Sequence, residues 1–255
     1  MAGKLHIGTV AWSYKDWVGP FYPKGTKPNE YLQFISQKFN SVEIDFTFYR
    51  TPKPEMIDNW LAVTPEGFSF SPKFPRKITH FKRLEDCSDE LEFYLNRIKT
   101  LGDKLGPLLL QFDYKFSPDN LPQLTDFLPQ LPQDFRYAVE VRNRKWLDEP
   151  EFFELLEKYK CAFVVQDLYY MPKLVRLTAP FVYIRLIGDR RKIKEDFTHI
   201  QVEKDDKLAD WAKRIVDMLK EGIDVYVYCS NRYEGFAPGT AENLRSKIEA
   251  LGYIN

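Results

Sequence analysis

With 255 residues, 44% of them hydrophobic and 16% aromatic, the chain is long enough for a sizeable core and too apolar for intrinsic disorder. Equal numbers of basic and acidic residues, 37 of each, exclude a general electrostatic pull towards nucleic acid or anionic lipid. No run of about 18 apolar residues is present, the amino terminus lacks an apolar leader, and Cys87, Cys161 and Cys229 lack Cys-x-x-Cys spacing, so the expectation is a cytoplasmic protein with reduced thiols and no membrane span.

A first strand is predicted over residues 5–11. Asn29 is placed to cap a helix whose Tyr31, Phe34, Ile35 and Phe39 share one face, and a second strand follows over 42–46. Pro54 suits the first turn of a helix carrying Met56, Ile57, Trp60 and Leu61, ahead of a third strand over 68–73. Ser88 is the predicted cap of a helix with Leu91, Leu95, Ile98, Leu101 and Leu105, stopped by Gly106-Pro107, and 108–112 is the fourth strand. Leu121, Leu124, Phe127, Leu128 and Leu131 mark the next helix, 137–142 the fifth strand, 150–159 a helix and 162–167 the sixth strand. Residues 168–180 carry no helical period, so one outer helix is expected to be short or missing. The seventh strand is predicted over 181–187. After a polar loop comes a helix with Leu208, Trp211, Ala212, Ile215 and Leu219, stopped by Gly222, and then an eighth strand over 225–230. Thr240 is the predicted cap of a last helix with Leu244, Ile248 and Leu251. Eight strands alternating with seven clear helices, with no linker between them, predict one domain over 1–255: an α/β, TIM-type, eight-stranded parallel barrel.

The strands themselves are unusual. Side chains alternate faces along a strand, and several of these strands place polar residues on one face: Glu43 and Asp45, Ser71 and Lys73, Gln111 and Asp113, Glu140 and Arg142, then Asp167 and Arg185. Helices should cover a parallel sheet, so the enclosed face near the strand C-termini is where these groups are expected to converge. Residues two apart lie about 6.6 Å from each other along a strand. Glu43 with Asp45, and Glu140 with Arg142, are therefore expected to project together and to pair carboxylates with cations.

In order along the chain, Gly8-Thr9, Trp12-Ser13-Tyr14, Trp17, Phe21-Tyr22-Pro23, Val42-Glu43, Thr47-Phe48-Tyr49-Arg50-Thr51-Pro52, Ser71 with Lys73, Ile78-Thr79-His80, Leu105-Gly106-Pro107, Val139-Glu140-Val141-Arg142 with Trp146, Tyr183-Ile184-Arg185 and Ala237-Pro238 resemble the YecE-like family, domain of unknown function 72. The resemblance implies a TIM barrel and supplies no established reaction. Three positions depart from the family pattern. Asp45 stands where Asn is frequent, Ile187 where many members have His, and Ser230 with Arg232 alter an Asn-Asn-His-like run around Asn231. A mechanism built on a histidine from the last two strands does not fit this chain.

The polar residues suggest an enzyme, or a binder derived from one, that holds a small anionic ligand. Glu43, Lys73, His80, Glu140 and Asp167 are the candidate acid, base or nucleophilic groups. Trp12, Tyr14, Asp45, Tyr49, Gln111, Arg142, Arg185 and Asn231 are the candidate ligand-binding residues, with cations for phosphate or carboxylate and aromatics for stacking. A structural ion network among the same charges is the competing expectation. No metal or cofactor is expected: only His6, His80 and His199 are present, and no Gly-rich phosphate fingerprint occurs. A hard divalent ion on Glu43, Asp45, Glu140 and Asp167 competes with neutralisation by Lys73, Arg142 and Arg185. The alternative function is nucleic-acid binding, with Arg76, Lys77, Lys82, Arg83, Arg190, Arg191 and Lys192 on backbone phosphates and aromatics on bases.

Overall fold

Leu5–Val10 (β1), Ser41–Ile44 (β2), Ser69–Pro72 (β3), Leu108–Gln111 (β4), Tyr137–Glu140 (β5), Ala162–Leu168 (β6), Phe181–Gly188 (β7) and Asp224–Cys229 (β8) form one eight-stranded sheet in the computed structural model, which describes residues 2–253. The ends of the predicted 1–255 domain, Met1, Ile254 and Asn255, lie outside the described residues. Strand order is β3-β2-β1-β8-β7-β6-β5-β4, and the ladders between β1 and β2, β1 and β8, β4 and β5, β5 and β6, and β7 and β8 are all parallel. Parallel bridges Phe70↔Leu105 and Lys73↔Leu109 join the two ends of that order. The fold is therefore α/β and TIM-type, as predicted.

Helices Tyr31–Ser36 (α1), Pro54–Val63 (α2), Ser88–Ile98 (α3), Leu121–Phe127 (α4), Pro150–Lys158 (α5), Asp205–Lys220 (α6), Asn231–Glu234 (α7) and Ala237–Ala250 (α8) occupy the connections. Between β6 and β7 there is no helix, as the missing period of 168–180 predicts. Pro54 and Pro150 sit in first turns, where the absent N–H costs nothing. The predicted apolar face of α6 is buried, Leu208, Trp211, Ala212, Ile215 and Leu219 all lying in the core.

Three predicted caps are wrong. The residues before α1, α3 and α8 are Glu30, Cys87 and Phe236, none with a side-chain cap bond. Asn29 precedes Glu30, whose carboxylate turns back to accept the Lys27 N–H at 2.6 Å. Ser88 is already helical. Thr240 lies a turn inside α8 because Pro238 starts that helix earlier, and its hydroxyl donates to the Phe236 carbonyl at 3.2 Å.

The chain clusters into two compact units. One comprises the chain up to Glu43, Gln166–Lys173 and the chain from Phe181 onward. Its core includes Ile7, Trp17, Tyr22, Ile184, Val227 and Leu244, with Tyr22 and Tyr31 stacked at 4.4 Å. The other comprises Ile44–Val165 and Leu174–Pro180. Its core is an aromatic column in which Phe112 stacks on Phe116 at 4.0 Å and Phe116 on Trp146 at 5.5 Å, the Trp146 indole N–H donating to the Phe116 carbonyl at 2.8 Å. No helix among the described residues is long and apolar enough to cross a membrane.

Candidate functional site

Glu43, on β2, is fully buried and meets two partners from β7. Arg185 Nη2 donates to Oε1 at 2.7 Å, and the Tyr183 hydroxyl donates to Oε2 at 2.9 Å. Tyr183 and Arg185 are two apart on one strand, so the period of two delivers both to the same carboxylate. Burial, reinforced by the Glu43 charge, raises the Tyr183 phenol well above its ordinary value and keeps it a donor. The arrangement neutralises two enclosed charges.

Asp167, near the end of β6, accepts from Trp211 Nε1 at 3.0 Å and the Tyr233 hydroxyl at 2.9 Å, and Lys173 Nζ lies 2.9 Å from the same Oδ2. Burial raises its carboxyl, but these three donors more than offset that, leaving it below the ordinary carboxylate value. A cavity of about 300 Å³ adjoins it, lined also by Tyr169, Asp189, Lys192, Lys204, Lys207 and Tyr233. Because the folded-state value is lowered, the charge stabilises the native state fully above the ordinary carboxylate range, and this is lost as pH falls through the folded value. Asp167→Asn is expected to cost about 1–3 kcal/mol at neutral pH by leaving buried donors poorly matched. The gap to wild type should close on acidification in urea titrations across the acid range; a pH-independent gap would contradict the assignment.

In the other unit, β2 and β3 end earlier than predicted. Asp45 opens a 3-10 turn, Asp45–Phe48, and Lys73 lies one residue past β3, so the strand-alternation argument for these two stops short of them. The turn nonetheless unites them: Lys73 Nζ donates to Asp45 Oδ1 at 3.1 Å and lies 3.9 Å from the Phe48 ring centre. The Lys73 main chain is clamped. Its N–H donates to Thr47 Oγ1 at 2.9 Å, while its carbonyl accepts from Thr47 Oγ1 at 2.7 Å and from the Tyr94 hydroxyl at 3.1 Å.

Arg142, within the strand predicted over 137–142, also lies beyond the observed one, since β5 ends at Glu140. Its Nε donates to the fully buried Glu140 Oε1 at 2.5 Å. Arg142 Nη1 and Nη2 have no hydrogen-bond partner among the described residues, and 19% of the side chain is exposed. His80 belongs to a π-helical turn, Lys77–Phe81. Its Nδ1 is 2.9 Å from Thr79 Oγ1, and its ring meets Phe48 edge-on at 4.9 Å. Partial burial lowers its pKa below the ordinary histidine value; Asp113 opposes this, while Lys73 and Arg142 add to it. Gln111, half-buried at the end of β4, donates to the Phe112 carbonyl at 2.7 Å.

The remaining candidates are dispersed. Tyr14 packs on Trp17 at 4.7 Å and edge-on to Phe197 at 5.9 Å, and the Trp12 carbonyl accepts from the Tyr22 hydroxyl at 2.7 Å. Asn231 Oδ1 accepts from Trp17 Nε1 at 3.3 Å and from the Ala237 N–H at 2.9 Å, which ties this aromatic cluster to the start of α8. Tyr49 is 61% exposed. Among the described residues no group of three or more His, Cys, Asp or Glu side chains is arranged to hold a metal ion. All three cysteines are free and buried.

The family model "Protein of unknown function DUF72" matches residues 6–252. The chain belongs to this family. The UPF0759 protein YecE of Escherichia coli strain K12 is 37% identical over 149 residues, 58% of this chain and 50% of YecE, so the chain spans about half the length of that curated relative. The UPF0759 protein YunF of Bacillus subtilis strain 168 is 25% identical over 97% of this chain and 94% of its own length. A crystal structure of a DUF72 family protein from Thermotoga maritima MSB8 superposes with a TM-score of 0.84 at 26% identity, covering 96% of this chain and 99% of that one. A DUF72 family protein from Enterococcus faecalis V583, at 19% identity, shares the fold with a TM-score of 0.78 over 99% of both chains.

In this DUF72 chain, sequence reasoning missed Thr47 and Tyr94, which hold Lys73, and Trp211, Tyr233 and Lys173, which hold Asp167. The spacing of Trp211 places it in a helix core, and it does pack there; only its indole N–H reaches the carboxylate. Lys204 was also missed, and no pattern in its polar loop marks it.

Proposed function

We propose that this chain holds a small ligand bearing phosphate or carboxylate on Lys73 and Arg142, and that His80 supplies acid/base capacity beside it. The observation that carries this reading is the Arg142 guanidinium: Glu140 anchors it through Nε, leaving the two Nη donors for a planar, two-point grip on an oxyanion. A lowered histidine pKa favours the neutral ring near neutral pH, ready to accept a proton. Glu43 and Arg185 are not invoked in this reading, since they neutralise each other within the other unit. No cofactor is invoked.

Calorimetry with phosphorylated sugars, nucleotides and carboxylates tests the proposal. Lys73→Ala and Arg142→Ala should each weaken the ligand by about tenfold or more, as expected for a partly enclosed charge-assisted contact, with folding checked by circular dichroism. Arg190→Ala should change little.

One observation favours nucleic-acid binding as a second reading. Tyr49 and Phe81 are 61% and 69% exposed, and the Arg76 guanidinium lies 5.5 Å and 5.2 Å from their ring centres, a platform suited to stacking. Against it, Lys77 and Lys82 both pair with Glu90, at 2.6 Å and 2.9 Å. Affinity that grows with oligonucleotide length and falls steeply with salt would replace the small-ligand reading with this one.

A further inference from the structure

The cavity beside Asp167 is lined wholly by residues of the first unit, with three carboxylates and three lysines among them. Two of its carboxylates are already engaged. Asp167 is held by Lys173, Trp211 and Tyr233, and Asp189 accepts from Arg191 Nε at 2.9 Å and Nη2 at 2.8 Å. Against the remaining Glu203 stand three ammonium groups, from Lys192, Lys204 and Lys207, none of which makes an ion pair among the described residues.

Lys204 is fixed in place without being neutralised. Its main-chain N–H donates to Glu234 Oε1 at 2.8 Å, and its ammonium donates to the Tyr233 carbonyl and lies 3.8 Å from the Tyr233 ring centre. We infer that this cavity is a binding site for a compact phosphomonoester, with Lys204 as the central anchor and Lys192 and Lys207 as flanking cations. The volume, about 300 Å³, suits a small molecule rather than a nucleotide chain. Lysine binds phosphate as a point charge, so three separate ammonium groups suit a tetrahedral phosphate, whereas a planar carboxylate is better matched by the fork of an arginine.

Burial lowers the Lys204 pKa to about 8; Asp167 and Glu234 act to raise it, and Lys207 and Lys173 to lower it further. Asp189 and Glu203 complete the charged surroundings and are unaltered by the variants below. A bound anion favours the protonated amine, so anion affinity should fall as pH rises through this value.

Calorimetry on the full chain, with sulfate as a probe that does not itself titrate in this range and glycerol 3-phosphate as the phosphomonoester, tests the site. Lys204→Met should weaken both by about tenfold or more, and Lys192→Ala and Lys207→Ala by about threefold each. Lys204→Arg should retain binding but lose the fall in affinity around pH 8, because a guanidinium stays charged. Lys73→Ala should leave sulfate binding here within about twofold, which separates this site from the Lys73 and Arg142 proposal. The inference is overturned if wild type binds neither probe, if Lys204→Met and Lys207→Ala bind as wild type does, or if Lys73→Ala removes all binding.

Discussion

Arg185→Met is expected to destabilise the native state by about 3–5 kcal/mol, one of the largest losses any single substitution in this chain should cause. The charge it leaves behind is the reason. Glu43 has no exposed surface, so with Arg185 gone its carboxylate must either stay ionised in a low-dielectric site or take up a proton. Tyr183 can still donate, but a neutral hydroxyl does not replace a cation 2.7 Å away. Glu43→Leu combined with Arg185→Met should recover most of the loss, because two apolar side chains of similar size are close to neutral in place of a buried ion pair. Adding Tyr183→Phe should recover more, since its hydroxyl then needs no acceptor. Urea denaturation of the four proteins measures this directly. If the single variant loses less than about 1 kcal/mol, the carboxylate is not trapped as described.

Gly188→Ala should lower stability by about 2–5 kcal/mol, combining left-handed backbone strain with overpacking against main-chain atoms. Gly188 ends β7 at φ 77°, and a methyl group there would meet the Arg232 carbonyl oxygen at 2.4 Å and the Tyr233 Cα at 2.6 Å. Neither atom belongs to a flexible side chain. Relief requires shifting α7, which carries the hydroxyl that reaches Asp167. Thermal melts should show the loss, and tyrosine and tryptophan fluorescence should report disturbance around Tyr233 and Trp211. A variant that melts with wild type would mean that the turn and α7 move apart at little cost.

Much of the fold was legible because burial imposes its period on the sequence. The face of α6 could be read from Leu208, Trp211 and Ile215, and the missing helix after β6 from the lack of any such period. Strand ends were not legible. Asp45 and Arg142 continue an alternating pattern past the ends of β2 and β5, and Lys73, one residue past β3, keeps only a bridge to Leu109, because composition does not record where a strand ends. Three helix caps failed for a related reason, while the proline starts at Pro54 and Pro150 held: Asn29, Ser88 and Thr240 are good capping residues, but Glu30, Cys87 and Pro238 take the chain into the helix. Within the candidate site, Glu140 and Arg142 could be paired from sequence because they are two residues apart. The meeting of Glu43 with Arg185, and of Lys73 with Asp45 and Thr47, depends on contacts between distant segments and leaves no local mark.

The Thr47 hydroxyl has a thermodynamic consequence for whatever meets Lys73. It bridges the Ile44 carbonyl, at 2.8 Å, and both main-chain groups of Lys73, so the end of β2 and the end of β3 are tied before any ligand arrives. Ordering one residue's backbone on binding costs about 1–2 kcal/mol of conformational entropy. Here that cost is met when the chain folds. The lysine side chain is likewise already held by Asp45, so an incoming anion has little left to order and more of the contact energy remains for affinity.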